Sequence, residues 1–181
     1  IYHSNAIEGN TLTLKETKVV LEGITVGGKT LREHFEAINH RDAILMVEDL
    51  VEKQQPLDEW TIKNLHQLVL KNIDAENAGR YREVNVLISG AEHRPPNAIQ
   101  VPDLMAEFSD WCSNQAQQLH PIERAARVHG EFVKIHPFVD GNGRTWHLDI
   151  DGSAHYGMLS GFVQEMRLEG DASQMRDLFN S

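Results

Sequence analysis

The chain has 181 residues, enough for one domain with a core that needs no staples, and its 40% hydrophobic and 24% charged content is ordinary for a soluble globular protein. A formal net charge of −10 argues against a nucleic-acid-coating role, which calls for a basic stripe. The single Cys112 excludes an internal disulfide and fits a reducing, cytoplasmic setting, and no run approaches the roughly 18 apolar residues of a membrane span.

In chain order, Ser4 to Asn10 comes first, and Gly9-Asn10 is a stop signal, so a short helix ends near Glu8. The chain begins at Ile1 rather than Met and reads as a fragment of something longer. Thr13 and Glu16 have capping-box spacing and open a helix to about Gly23. Gly27-Gly28 breaks it. Thr30 and Glu33 form a second capping box, and apolar residues recur at helical spacing from Leu31 to about Lys53: Phe35, Ile38, Ala43, Met46, Val47, Leu50 and Val51. Ile62, Leu65, Leu68 and Val69 mark another helix. Residues 78–82 read as a loop, with Arg80 and Arg82 either solvated or touching an anionic ligand. Val84 to Ile88 is a β-branched run, Ser89-Gly90 turns it, and Ala98 to Val101 is its return strand. Leu104, Phe108, Trp111 and Cys112 mark a helix. Pro121 starts the next, with a face of Ile122, Ala125, Ala126, His129, Phe132 and Val133. The expected fold is all-α with one small β-hairpin, without internal repeat or dividing linker.

That last helix delivers the chain into His136-Pro137-Phe138-Val139-Asp140-Gly141-Asn142-Gly143-Arg144. His136 is the side chain suited to proton transfer near neutral pH. Asp140 is a hard oxygen ligand of the kind Mg²⁺ prefers. Gly141 and Gly143 let the backbone turn its N–H groups into one anion-binding concavity around Asn142. A helix starting at Asn142 or Gly143 adds its positive end, and Arg144 adds a planar cationic fork for phosphate. The stretch reads as a nucleotide site with a base, a metal ligand and an anion cradle.

These nine residues resemble the signature of the Fic (filamentation-induced-by-cAMP) family, His-Pro-Phe-x-Asp-Gly-Asn-Gly-Arg-x-x-Arg, at every fixed place up to Arg144. The final Arg falls at position 147, where this chain has His147. Ser4, Glu8 and Gly9 resemble the family's inhibitory motif, [Ser/Thr]-x-x-x-Glu-[Gly/Asn]. The resemblance implies a Fic-like helical bundle with a β-hairpin flap over the active site. It divides the chain into an inhibitory segment (1–12), a Fic core (13–145) and a divergent tail (146–181). It implies an auto-inhibited adenylyltransferase moving AMP from ATP to a Ser, Thr or Tyr hydroxyl of a target protein. His136 would be the base and Asp140 would hold Mg²⁺. Gly141, Asn142, Gly143 and Arg144 would hold the phosphates, and the flap residues Ile88, Ser89 and Gly90 would complete the cleft and hold the target backbone. Self-modification and a homodimer are compatible with it; neither a membrane nor nucleic acid is expected as partner. Two alternatives stay open: a hydrolase removing AMP at the same site, with Glu8 orienting a water, and a nucleotide-binding regulatory module that has lost catalysis, which the missing second Arg keeps open.

Gly23 to Thr30 also matches the P-loop pattern G-x-x-x-x-G-K-T. A P-loop needs a buried strand before it, and Lys15 to Glu22 is a charged, capped helical segment instead. The expectation is an inter-helix loop with Lys29 solvated. The ten histidines show no zinc-binding spacing.

Overall fold

A computed structural model describes residues 1–53, 55–88 and 91–145. Among these described residues six α-helices follow in order: α1 (Tyr2–Ile7), α2 (Leu14–Leu21), α3 (Leu31–Glu52), α4 (Glu59–Val69), α5 (Val101–Ser113) and α6 (Pro121–Ile135). Residues 142–145 then begin a further helical turn. No helix among the described residues is long and apolar enough to cross a membrane.

Local chemistry sets the helix ends. The Thr13 and Thr30 hydroxyls accept from the Glu16 and Glu33 N–H groups, and both glutamates reach back to the cap N–H. Each box satisfies two donors that a helix start leaves orphaned. Gly9 (φ +92°) and Gly23 (φ +86°) take the left-handed backbone that ends α1 and α2. Asp58 caps α4 by accepting from Thr61 N–H.

The core runs through the bundle in three linked clusters. Leu12, Val20 and Ala37 join α2 to α3. Ala43, Val47, Leu65, Val69 and Leu70 join α3 to α4. Ile62 of α4 then meets Val101, Met105, Phe108 and Cys112 of α5 and Val128, Phe132 and Ile135 of α6. Each such apolar side chain contributes about 1.5–3 kcal/mol on burial, so α4, with two buried faces, anchors the whole.

The structure departs from the sequence expectations at four places. Ala98–Gln100 is a 3₁₀ turn and Val101 already opens α5, so no return strand forms there. Val84–Ile88 carries no strand pairing among the described residues; Ser89 and Gly90 lie outside them. The physical reason is that Pro95 and Pro96 offer no N–H to a ladder, while Arg82 takes the carbonyls of Val84 and Pro96 instead. On α6 the buried stripe is Ala125, Val128, Phe132 and Ile135, whereas Ile122, Ala126 and Val133 are exposed. The stripe expected from sequence is rotated because Val128 and Ile135 carry it inward. Along α3 the buried positions include His34, Asn39 and His40, and Phe35 is only half-buried. His34 Nδ1–H donates to Thr30 C=O and its Nε2 accepts from Val26 N–H, so this polar side chain is fully used inside. Lastly, Lys29 is not solvated: its ammonium donates to the Thr11 carbonyl (2.6 Å) and hydroxyl and faces Glu16 at 3.7 Å. The P-loop-like stretch is a loop between α2 and α3, as expected.

Candidate functional site

The site is built where α6 ends. His136 caps that helix in the left-handed region (φ 48°, ψ 63°), its N–H still donating to Phe132 C=O. A non-glycine residue pays about 1–2 kcal/mol for that backbone, so something must hold it. Arg82 does. The residue is 2% exposed, and its guanidinium donates to the carbonyls of His136 (2.8 Å), Val84 (3.1 Å), Pro96 (2.5 Å) and Ile135 (3.4 Å). Its own N–H donates to Pro137 C=O at 2.9 Å. Arg82 is therefore neither a solvated loop residue nor an anion ligand, the two readings open to sequence. It is a buried tie between Val84, Pro96 and the signature. Burial lowers the His136 pKa, and the neighbouring charges of Arg82 and His93 lower it further. The imidazole is neutral near pH 7, as a proton acceptor must be.

The next five residues fold on themselves. Asn142 Oδ1 accepts from Phe138 N–H (3.0 Å), and its Nδ2 donates to Phe138 C=O (2.8 Å). The Asn142 side chain thus closes the loop, and what it can offer an anion is its backbone. Phe138 is buried and stacks on His66, with centroids 3.6 Å apart and planes at 4°. His66 is 0% exposed. Its Nδ1 accepts from Gly79 N–H, so Nε2 carries the proton and donates to Asp140 C=O, both at 2.9 Å. Burial holds its pKa at about 4 against some help from the Asp140 carbonyl. Gly141 (φ +78°) is required twice over: for the positive φ, and because a Cβ would stand 3.3 Å from His66 Nε2.

Asp140 and Arg144 face each other at the mouth of the helical turn. Arg144 Nη2 lies 3.2 Å from both Asp140 oxygens, and Nη1 donates to Glu36 Oε1 at 3.0 Å. Burial alone would raise the Asp140 carboxyl; Arg144, the Gly141 N–H and Arg32 outweigh it and hold it below the usual range. It is a carboxylate at any pH near neutral.

Glu8, at the end of α1, comes to the same place. A Cβ built on Gly143 would overlap the Glu8 carboxylate, whose Cδ lies 2.8 Å from that position. The carboxylate therefore rests against the first turn of the 142–145 helix, where backbone N–H groups and the helix dipole favour negative charge. What carries Glu8 there is Asn10, which is buried. Its Nδ2 donates to Glu33 C=O (3.0 Å) and Glu36 Oε2 (2.9 Å), and its Oδ1 accepts from Leu12 N–H (3.0 Å). Ser4 lies on α1 and Gly9 turns the chain after it.

So His136, Asp140, Gly141, Asn142, Gly143 and Arg144 share one fold-back of chain, Glu8 lies against it at Gly143, and this is the candidate cleft. Ile88 is the only described member of the flap trio, and the residues from 146 onward, His147 included, lie outside the described part. Sequence reasoning missed Arg32, Glu36, Asn10, His66 and the true role of Arg82. Only Arg32 and Glu36 left a signal, as an opposite-charge pair one helical turn apart.

The Fic/DOC family model matches residues 56–148. The chain is 42% identical over 151 residues to a protein adenylyltransferase Fic of Nematostella vectensis and 39% identical over 150 residues to that of Drosophila grimshawi. Each match covers 82% of this chain and 35% or 31% of the relative, so the chain spans about a third of their length. Among solved structures, Fic-1 (residues 134–508) of C. elegans superposes with a TM-score of 0.76 at 35% identity, covering 84% of this chain and 46% of that one. A Fic-domain signalling protein of Bacteroides thetaiotaomicron gives 0.76 at 33% identity, covering 85% and 60%. The chain belongs to the Fic/DOC family.

Proposed function

We propose that this cleft binds ATP and transfers its AMP to a hydroxyl of a target protein, and that Glu8 restrains the reaction. The observation that carries the reading is the convergence of a neutral imidazole, a carboxylate and a glycine-flanked helix start within one fold-back of chain. The names of the adenylyltransferase relatives support the same reaction.

In the proposed step the target hydroxyl attacks the α-phosphorus, and the bond from that phosphorus to the β-bridging oxygen breaks. Pyrophosphate leaves and AMP is left on the hydroxyl oxygen. The hydroxyl proton passes to the neutral His136. Backbone N–H groups of the 141–144 turn and the Arg144 guanidinium neutralise phosphate charge, which for such transfers does most of the work. Asp140 fits Mg²⁺: it is a partly exposed carboxylate, and Mg²⁺ takes one or two such ligands with substrate phosphates and water supplying the rest. The cation, when bound there, would offset charge on the phosphates. No cluster of three or more His, Cys, Asp or Glu side chains among the described residues makes a metal cage of its own. A cation would therefore enter with the nucleotide.

Glu8 supports auto-inhibition on charge alone. Its carboxylate lies against Gly143, on the anion-favouring end that a phosphate would use. The loop that holds Ile88 ends against α6 and the signature through Arg82, which suits a role in presenting the target backbone to His136.

The test is incubation of the full chain, Glu8→Gly and His136→Ala with α-labelled ATP, Mg²⁺ and a cell lysate as a source of hydroxyl targets. The expected result is faster labelling by Glu8→Gly than by the parent, and a loss of about 10²–10⁴ in rate for His136→Ala with nucleotide affinity retained. Comparable labelling by His136→Ala would refute the base. Removal of pre-installed label by the parent, and its loss in Glu8→Gly, would reverse the assigned direction.

A further inference from the structure

Asp140 and Arg144 are half of a closed ring. Arg32 and Glu36, one turn apart on α3, complete it. Arg32 Nε donates to Glu36 Oε1 at 3.0 Å, and Arg32 Nη2 donates to Asp140 Oδ2 at 2.7 Å. Arg144 Nη1 meets the same Glu36 oxygen, and its Nη2 meets Asp140. Two guanidinium groups and two carboxylates alternate, and their formal charges cancel.

The ring has an inner and an outer side. The side chains of Arg144 and Glu36 are 4% and 12% exposed, whereas those of Arg32 and Asp140 are 56% and 44% exposed. Breaking the inner pair would strand a buried charge. The outer contact is solvated, and exposed ion pairs of this kind exchange at little cost. Asp140 Oδ1 is engaged by the Gly141 N–H at 2.6 Å. Oδ2 faces the exposed side and carries both guanidinium groups, Arg32 at 2.7 Å and the buried Arg144 at 3.2 Å.

We propose that Arg32 is the resident counter-ion of Asp140 and exchanges with a divalent cation at Oδ2, an inference that rests on the metal position in the nucleotide reading above. A metal ion at Oδ2 would compete with the Arg32 N–H, the closer and more exposed of the two guanidinium groups on that oxygen, and the positive charges repel. Without a cation, Arg32 is the second positive charge, beside Arg144, between the Asp140 and Glu36 carboxylates. With a cation arriving, Arg32 keeps Glu36 as its other partner. The fork of arginine is what lets one side chain bridge two carboxylates through different nitrogens; a lysine has a single nitrogen for both. The consequence is a low affinity for metal in the empty cleft. Phosphate charge brought in with the ion then tips the exchange.

The probe is Mn²⁺ alone, titrated into the full chain, with free Mn²⁺ read by electron paramagnetic resonance. Arg32→Gln should bind roughly three- to tenfold tighter than the parent, since a competitor and a like charge are both gone. Arg32→Lys should fall between them. Asp140→Asn placed on Arg32→Gln should abolish the gain. Equal or weaker binding by Arg32→Gln, or a gain that survives Asp140→Asn, would overturn the exchange. If Arg32→Gln melts out of the folded range, the lysine variant carries the same comparison. No nucleotide enters the assay, so a parent that fails to transfer AMP would sink the functional reading and leave this result standing on its own.

Discussion

His66 makes the stability of this domain sensitive to mild acid. The imidazole is completely buried, its Nδ1 spent on Gly79 N–H and its Nε2–H on the Asp140 carbonyl. A second proton would have to displace the Gly79 bond. Its pKa accordingly drops from 6.5 to about 4 on folding. The folded pKa is depressed, so the unfolded chain binds more protons through this window, and stability is lost as pH falls from 6.5 towards 4. With those two values the loss is about 1 kcal/mol at pH 5.5 and about 2–3 kcal/mol at pH 4.5. The carboxylates with lowered values, Asp140, Glu33 and Asp74 among them, add their own loss only as pH falls through the carboxyl range below. The assay is urea denaturation between pH 7.5 and 5.5 for the parent and His66→Gln. The variant should be less stable at pH 7.5, because it loses the stack on Phe138 and at least one of the two hydrogen bonds. It should also be flatter with pH by about 1 kcal/mol. Parallel curves, agreeing in slope within about 0.3 kcal/mol over that range, would refute the reasoning.

Two further outcomes follow from the same geometry. Gly141→Ala should destabilise by about 1–3 kcal/mol, since it places a side chain at positive φ and a Cβ against His66 and Leu70; a shift below about 0.5 kcal/mol in chemical denaturation would contradict it. Arg82→Lys should cost about 2–4 kcal/mol by leaving buried carbonyls unpaired, and should speed hydrogen exchange across residues 83–97; unchanged protection there would show that Arg82 does not hold the loop.

Helix ends were legible in the sequence because capping is local. Thr13 with Glu16, Thr30 with Glu33, and Gly9 each act within four residues, and each does in the structure what its spacing predicts. The signature was legible for the same reason, being one fold-back closed by Asn142 on Phe138. What failed was non-local. The expected hairpin rested on β-branched residues at 84–88, but a strand exists only with a partner, and the return segment is drawn into the start of α5. Arg82 was ambiguous because its four carbonyl partners come from three separate stretches of chain. His66 was one of ten histidines, and its stacking partner lies 72 positions along the chain, as the residue numbers of Phe138 and His66 give (138 − 66). Arg32 and Asp140 are 108 positions apart and no periodicity links them.

The long-range contacts share a logic that bears on how the cleft works. Those from His66 and Arg82 hold the signature mainly through its backbone, with the His66–Phe138 stack beside it. His66 takes the Asp140 carbonyl, Arg82 takes the His136 and Ile135 carbonyls, and the Arg82 N–H takes that of Pro137. The His136 imidazole and the Asp140 carboxylate are thereby oriented without being buried behind their supports. Preorganisation of this kind costs stability, in a left-handed His136 and a glycine that tolerates no side chain, and it saves reorganisation when a charged ligand arrives. The N-terminal part meets the same cleft by a different rule. Glu8, Asn10, Arg32 and Glu36 enter it with side chains, most of them charged, on elements that belong to α1, the segment after it, and the first turns of α3. Charged side-chain contacts with one exposed partner are the readily exchanged ones. In the proposed reading, the rigid backbone-held half carries the residues that would act on a nucleotide, and the exchangeable side-chain half those that would control its entry. On that division, substitutions at His66, Arg82 or Gly141 should appear as lost stability, and substitutions at Glu8 or Arg32 as altered ligand affinity in a chain of nearly unchanged stability.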